Sequence, residues 1–364
     1  MSVDSFHTLE VAAVRPETDS AVCITLNVPP ALAATFQFQQ GQYLTFRRQI
    51  DGEEVRRSYS ICSGVDEPAL QVAVKALDGG KFSGWANSDL KPGDHIETMA
   101  PAGSFTSTLS PQADKNYLCI AAGSGITPVL SIIKSILACE PRSHVTLLYG
   151  NQRVQSIMFR DELDRLKNRH MARFQLIHVL SQEQRDVEIL NGRITNRKGA
   201  ELCRHLLDLD AIDDFFLCGP ESMISEVSRG LRGAGVQDQR IHYELFGASA
   251  TDAAAAVERH QQRARRFAGK VCRVTVKADG RESTFELPPD GENVLDAALD
   301  AGIDLPFACK GGACATCKAQ LVGGEVEMDV CHALEPDEIA AGYILTCQAH
   351  PLSEEVFIDF DRAV

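Results

Sequence analysis

A multidomain fold is expected from this 364-residue chain: an antiparallel β segment over residues 1–111, an α/β parallel-sheet segment over 112–248, a linker over 249–268 and a small α+β segment over 269–364. Three observations carry that expectation. Strand-like alternation in the first segment gives way to apolar, strand-length runs with helical patterns between them. A stretch rich in alanine and arginine, with no strand signal, then interrupts the chain. Beyond it, "CKGGACATC" (309–317) packs three cysteines and two glycines into nine positions.

In the first segment, "AVCITLNV" (21–28), "QYLTFRR" (42–48) and "ALQVAVKAL" (69–77) alternate with period two, and turn signals fall at "DGEE" (51–54) and "KPGD" (91–94). That pattern suits an antiparallel barrel or sandwich. In the second, "NYLCIAA", "HVTLLYG", "RFQLIHVL" and "DFFLCG" are apolar throughout, as strands buried on both faces of a parallel sheet must be. "GASATDAAAAVERHQQRARRFAG" (247–269) lacks apolar periodicity and reads as an interdomain linker, in part helical, whose composition suggests mobility. The last segment opens with "VTVKADGRESTFEL", a hairpin turning at Asp279-Gly280. A short helix at "NVLDAALDAG", the cysteine loop and strands at "KAQLVGG" and "VFIDF" follow.

The net charge is −14, and residues 269–364 hold seven Lys and Arg against eighteen Asp and Glu, a local −11. Such a chain is a poor ligand for nucleic acid. Its acidic end suits docking on a basic protein surface, or serves solubility alone. "MSVDSFHTLEVAAV" lacks the basic start and apolar core of a signal peptide. The most membrane-like stretch, Tyr117–Cys139, is interrupted by Gly123, Gly125, Pro128 and Lys134, so strand–loop–helix explains it better than a bilayer span. A cytoplasmic protein with no membrane partner is the expectation.

Of twelve cysteines, eight are scattered; Cys23, Cys119 and Cys203 lie in apolar surroundings where thiols act as small hydrophobes. The other four are spaced Cys309-x4-Cys314-x2-Cys317, with Cys347 beyond. This is the plant-type [2Fe–2S] pattern, in which four thiolates hold two irons. Gly311 and Gly312 offer the positive φ a loop needs to wrap a cluster and aim backbone N–H groups at its sulfurs. Structural zinc, the rival, pairs its ligands on two C-x2–4-C knuckles, and only Cys314/Cys317 fits. Cys331 reads as an ordinary thiol, because Cys347 already completes the spacing. A cluster of this type passes single electrons and requires a donor and an acceptor.

Three stretches bear on the donor. "RRSYSICS" (56–63) puts Arg57, Tyr59 and Ile61 on one strand face and Ser58 and Ser60 on the other. "GGKFSGW" (79–85) is a glycine turn before a helix, able to present N–H groups to a phosphate. "LCIAAGSGITPVLSIIKSI" is a strand ending in Gly123-Ser124-Gly125, with Thr127 able to cap a helix and Pro128 at its first position. "FFLCGPESMISEV" repeats the arrangement, its strand ending at Cys218-Gly219 before Pro220.

Taken in order, Arg57-Ser58-Tyr59-Ser60, Gly123-Ser124-Gly125-Ile126-Thr127-Pro128 and Cys218-Gly219-Pro220 resemble the ferredoxin–NADP reductase family, here fused to a C-terminal plant-type ferredoxin as in reductase components of multicomponent oxygenases. "FACKGGACATC", "LEPDEIAAGYILTCQA" and the terminal "IDFD" resemble the reductase components that serve phenylacetyl-CoA epoxidation. The resemblance implies a flavin-binding β-barrel, an NAD(P)-binding α/β domain and a β-grasp ferredoxin domain, with FAD, NADPH and a [2Fe–2S] cluster. It implies that Arg57 holds the flavin phosphate, Tyr59 packs on the isoalloxazine, and Ser60 hydrogen-bonds near N5 with Ser58 in the same motif. Gly80 and Ser83 would meet the FAD pyrophosphate, Gly123–Pro128 the nucleotide phosphates, Cys218-Gly219 the nicotinamide, and Phe246 the flavin. Ser60 and Cys218 are then the catalytic candidates. NADPH users of the family carry arginine directly after the "GN" of the second sheet strand; here Gln152 follows Asn151, and Arg153 comes next. No acid precedes Asp161 in this loop, so NADPH is expected over NADH. The partner would be an oxygenase; a different hydroxylase, a hybrid-cluster protein, or a redox-sensing role for the cluster are the alternatives.

Overall fold

The computed structural model describes residues 6–194, 208–246, 250–267 and 269–362. Cys203 and the outermost residues of the expected domains and linker, 1–5, 249, 268, 363 and 364, lie outside them. The chain divides into two compact units, Ser5–Glu244 and one holding Leu245–Val364.

The first unit opens with strands β1 (His7–Thr18), β2 (Ala21–Asn27), β3 (Tyr43–Ile50), β4 (Glu53–Ser60) and β5 (Leu70–Lys75), then helix α1 (Lys81–Ser88) and β6 (His95–Thr98). They form an antiparallel sheet in the order β4-β3-β6-β1-β2-β5, and an Ile61–Val72 bridge just past β4 closes it into a barrel. Alternate residues such as Leu9, Ile24, Leu44, Phe46 and Val72 fill the interior, and α1 contributes Phe82 to the same core.

In the same unit follow β7 (Asn116–Ala122), α2 (Ile126–Cys139), β8 (His144–Asn151), α3 (Arg160–Arg169), β9 (Phe174–Leu180), β10 (Asp214–Cys218), α4 (Glu221–Gly233) and β11 (Ile241–Glu244). The sheet is parallel, in the order β11-β10-β7-β8-β9. The order reverses between β7 and β10, and the crevice outside the carboxyl ends of those two strands is where such sheets take ligands. Tyr117–Cys139 is thus strand, turn and helix, and no helix among the described residues is long and apolar enough to cross a membrane. Lys134 of α2 is 5% exposed and pairs with Glu67 (3.0 Å) and Glu162, tying the segment after the barrel's β4 to α2 and α3.

The second unit begins with α5 (Ala250–Arg266) and continues through β12 (Cys272–Ala278), β13 (Arg281–Leu287), α6 (Val294–Asp300), β14 (Lys318–Gly323), β15 (Val326–Met328), α7 (Pro336–Ala340), β16 (Tyr343–Leu345), β17 (Ala349–Pro351) and β18 (Glu355–Asp359). The main sheet runs β13-β12-β18-β14-β16 with one parallel pair, β12–β18, and α6 packs on it: a β-grasp fold. The β12–β13 hairpin turns at Asp279-Gly280, both at positive φ (50° and 72°).

The stretch expected as a linker is mostly α5, a 17-residue helix. Its alanine run has high helix propensity, and Asp252 in the first turn and three arginines in the last complement the helix dipole. Apolar periodicity was the wrong signal, because the docked face is polar: Asp252, Arg259 and Arg263 recur at helical spacing and bind His332, Asp329 and Glu327 of the same unit.

Candidate functional site

The pairing of β3 with β4 sets Arg57 opposite Phe46 and Tyr59 opposite Leu44, dividing the strand as its alternation predicts. The Tyr59 ring lies 5.4 Å from Phe82 and 6.1 Å from Phe46, and Ile61 is fully buried. Each aromatic pair of this kind adds about 0.5–1.5 kcal/mol beyond burial. Burial pushes the Tyr59 phenol well above its ordinary value, against the pull of Arg57. On the other face Ser58 shares a 3.0 Å hydrogen bond with Thr45. Arg57 is exposed and donates to the Arg56 carbonyl at 2.6 Å. An exposed guanidinium two residues from a ring wall fits a phosphate on a short chain leaving that ring.

Gly80 caps α1. The Ser83 hydroxyl turns inward, accepting from the Leu77 N–H (3.2 Å) and donating to the Gly80 carbonyl (3.3 Å). What this turn offers a phosphate is therefore the N–H groups of the first helical turn, which have no intrahelical acceptor.

At the crevice, Gly123–Gly125 forms a single 3-10 turn and α2 starts at Ile126, earlier than its sequence suggests. Thr127 lies inside the helix and donates to the Ser124 carbonyl (3.0 Å) instead of capping. Pro128 is third in the helix, where no intrahelical acceptor is waiting for the N–H it lacks. Gly125 admits no side chain: a Cβ there would meet the Cys218 carbonyl oxygen at 2.2 Å. The turn after β7 and the end of β10 thus pack backbone to backbone, joining the two motifs that the sequence gives separately.

Cys218 is fully buried, and its thiol is pushed up by burial and by the carboxyl of Glu244, its partner on β11. Ser60 Oγ, brought from the barrel, donates to Glu244 Oε2 at 3.2 Å. Only part of Glu244 reaches the surface, and burial of the rest pushes its carboxyl up to about 8, with the Ser60 hydroxyl opposing. Sequence reasoning names Phe246 but not Glu244, two residues before it. The available signal was a carboxylate at the carboxyl end of a parallel strand. Phe246 falls in the second unit, with 49% of its surface exposed.

Arg153, after β8, is exposed. Beside it the Val154 N–H donates to Glu183 Oε2 at 2.9 Å. The loop after β8 therefore does face an acid, supplied from beyond β9 and invisible to a search of the loop itself.

In the second unit the cysteine loop forms a cradle. Among the described residues no three metal-ligating side chains converge on one point; the thiols fall as two hydrogen-bonded pairs, Cys309 with Cys314 and Cys317 with Cys347. Thr346 holds the second pair together, binding the Cys317 carbonyl through its N–H (3.1 Å) and Oγ1 (3.0 Å). The Cys314 thiol and the N–H groups of Gly311, Ala313 and Cys314 hold the Cys309 thiol down to about 6. The Cys317 thiol, with the Gly312 N–H, lowers Cys347 likewise. Two thiol pairs inside a ring of amides fit two bridged irons. Of the two loop glycines only Gly312 uses positive φ (71°), and Lys310 (52°) and Ala315 (51°) take the other left-handed positions, a local strain of the kind found at ligand clamps.

The chain matches three protein-family descriptions: oxidoreductase FAD-binding domain over residues 16–107, oxidoreductase NAD-binding domain over 119–229, and 2Fe-2S iron-sulfur cluster binding domain over 276–352. It is 45% identical to a subunit of the 1,2-phenylacetyl-CoA epoxidase of Escherichia coli K12, over 98% of each chain. It is 33% identical to the ferredoxin reductase component of 3-ketosteroid-9-alpha-monooxygenase of Rhodococcus rhodochrous, over 97% of this chain and 96% of that one. Phthalate dioxygenase reductase has the same fold, with a TM-score of 0.60 at 22% identity over 97% of this chain and 98% of that structure.

Proposed function

Because the chain belongs to the family of oxygenase reductase components that carry FAD-binding, NAD-binding and [2Fe–2S] domains on one polypeptide, we propose that it carries electrons from NADPH to the oxygenase of a phenylacetyl-CoA epoxidase. The observation that carries the reading is the pair of thiol pairs in an amide cradle, on the same chain as the Ser60–Glu244–Cys218 crevice. Bound FAD supplies the conversion of a two-electron donor into single electrons for the cluster. The chain's own residues do the rest. Tyr59 and Arg57 seat the flavin, with Ser58 bracing β4 against β3 and the Gly80–Ser83 turn offering its amides. Gly123, Ser124, Gly125, Thr127 and Pro128 shape the phosphate site. Cys218 and Gly219 wall the nicotinamide. Ser60, its hydroxyl held by a carboxyl that is neutral at pH 7, would hydrogen-bond near the flavin's N5. Cys309, Cys314, Cys317 and Cys347 hold the cluster. A cytoplasmic location fits such a carrier.

The test combines the purified protein with NADPH, an epoxidase oxygenase complex and phenylacetyl-CoA, and follows epoxide formation. Turnover that requires this chain is the expected result. Fast cytochrome c reduction without epoxide would assign a different oxygenase, and no turnover with any acceptor in a flavin- and iron-replete sample would favour the sensing role.

Coenzyme choice rests on Arg153 against Glu183. A charge-assisted hydrogen bond is worth about 1.5–3 kcal/mol, so Arg153→Ala is expected to lower kcat/KM for NADPH by roughly 10- to 100-fold and to change that for NADH little. Glu183→Gln should raise the NADPH:NADH ratio by removing a like charge near the 2′-phosphate. Equal losses with both coenzymes in the Arg153 variant would remove Arg153 from the selection.

A further inference from the structure

Helix α5 reaches the cluster loop through a chain of contacts that the electron-transfer reading leaves unused. Arg263 is 3% exposed, and its guanidinium donates to Glu327 Oε2 at 2.6 Å and to Asp329 at 2.8 and 3.4 Å. Arg259 donates to the main-chain carbonyl of Asp329, and His350 Nε2 lies 3.1 Å from Asp329 Oδ2. Nearer the helix start, Asp252 Oδ2 lies within 2.7 Å of His332 Nε2. The segment from Asp329 to His332 is therefore gripped along its length by one helix. Its other side bears on the cysteine loop. The Val330 side chain lies 3.0 Å from where a Cβ on Gly312 would stand, the Ala333 N–H donates to the Gly312 carbonyl at 3.0 Å, and the Asp329 N–H donates to the Gln348 carbonyl at 2.9 Å. Gln348 follows ligand candidate Cys347 and donates to the Lys310 carbonyl at 3.0 Å.

A buried ion pair is weak evidence of stability, because desolvation offsets most of its attraction, and an apolar residue of similar volume often serves as well. What such a group supplies better than a methionine is geometry: the arginine fork fixes the plane and distance of the carboxylates it binds. Here the fixed carboxylate belongs to the segment that seats Gly312, whose N–H is one of those aimed at the sulfurs.

We propose that Arg263 is a positioning residue for the [2Fe–2S] cluster, acting through Asp329 and Val330 on the amide cradle of the Cys309–Cys317 loop. The inference rests on the reading of that loop as the cluster site. Loosening the segment weakens N–H···S contacts, which favour the reduced, more negative cluster, so the potential falls.

The test uses the full-length holoprotein, with wild type, R263M and R263K matched for iron and acid-labile sulfide, and reads the cluster midpoint potential and its electron paramagnetic resonance spectrum. R263M is expected to make flavin-to-cluster transfer about tenfold less favourable, equivalent to about 59 mV for one electron, with altered g-values. R263K keeps the charge and loses the fork, and a shift in the same direction is expected there too. R263K at the wild-type potential and spectrum would assign any R263M effect to charge alone and overturn the inference, as would a wild-type spectrum in both. If R263M does not hold a cluster, R263K decides by the same two measurements. Wild type without iron would overturn the cluster reading itself, a distinguishable failure.

Discussion

Cys347→Ser is expected to abolish electron delivery to cytochrome c or an oxygenase while leaving reduction of ferricyanide by NADPH within about twofold of wild type. The two outcomes separate because only the first acceptor class needs the second unit; FAD held by the first unit would serve ferricyanide without it. Cys347 pairs with Cys317 across the Thr346 hydrogen bonds, so its loss would leave the second thiol pair with a single thiolate for the cluster. Outer-sphere changes alone cost metal sites about 10–100-fold in affinity or activity, and a ligand loss should exceed the upper figure. Iron and sulfide analysis with a visible spectrum checks the cause, and cytochrome c turnover checks the effect. A variant that keeps both iron and turnover would remove Cys347 from the ligand set. Cys331→Ser serves as the control, since Cys331 is not among the thiols that hydrogen-bond to the four.

What the sequence makes legible is chemistry confined to a short stretch. The cysteine spacing, the alternation of β4 and the turn after β7 each lie within a dozen residues, and the structure lays them out nearly as read. What it hides comes from pairing across distance. Glu244 gains its meaning from Ser60, 184 residues earlier, and Glu183 from the loop after β8 that it faces. Helix α5 escapes an apolar reading because the residues it buries are an arginine and its acids. Gly311 shows the converse limit: glycine content signals a bent loop without saying which residue bends, and Lys310 and Ala315 take conformations that their side chains disfavour.

Glu244 carries the second large effect. Its carboxyl, pushed up to about 8 chiefly by burial, is neutral at pH 7 and accepts from Ser60 Oγ at 3.2 Å. The rate of flavin reduction by NADPH should accordingly hold level below pH 8 and fall above it, as ionisation places a negative charge beside Cys218. The sign for stability agrees: a pKa raised from 4.5 means the folded chain binds the extra proton between those values, so stability falls as pH rises through that window. Glu244→Gln is uncharged at every pH and replaces the carboxyl to which Ser60 Oγ donates. It should lower the rate of flavin reduction about 100-fold, because the acceptor that orients the Ser60 hydroxyl is altered, and flatten the alkaline limb. Ser60→Ala should give a similar loss in rate yet keep an alkaline limb, because the carboxyl still titrates. Anaerobic stopped-flow bleaching of the flavin across pH 6–10 reads all three proteins. An alkaline fall that survives unchanged in Glu244→Gln would place the titrating group elsewhere.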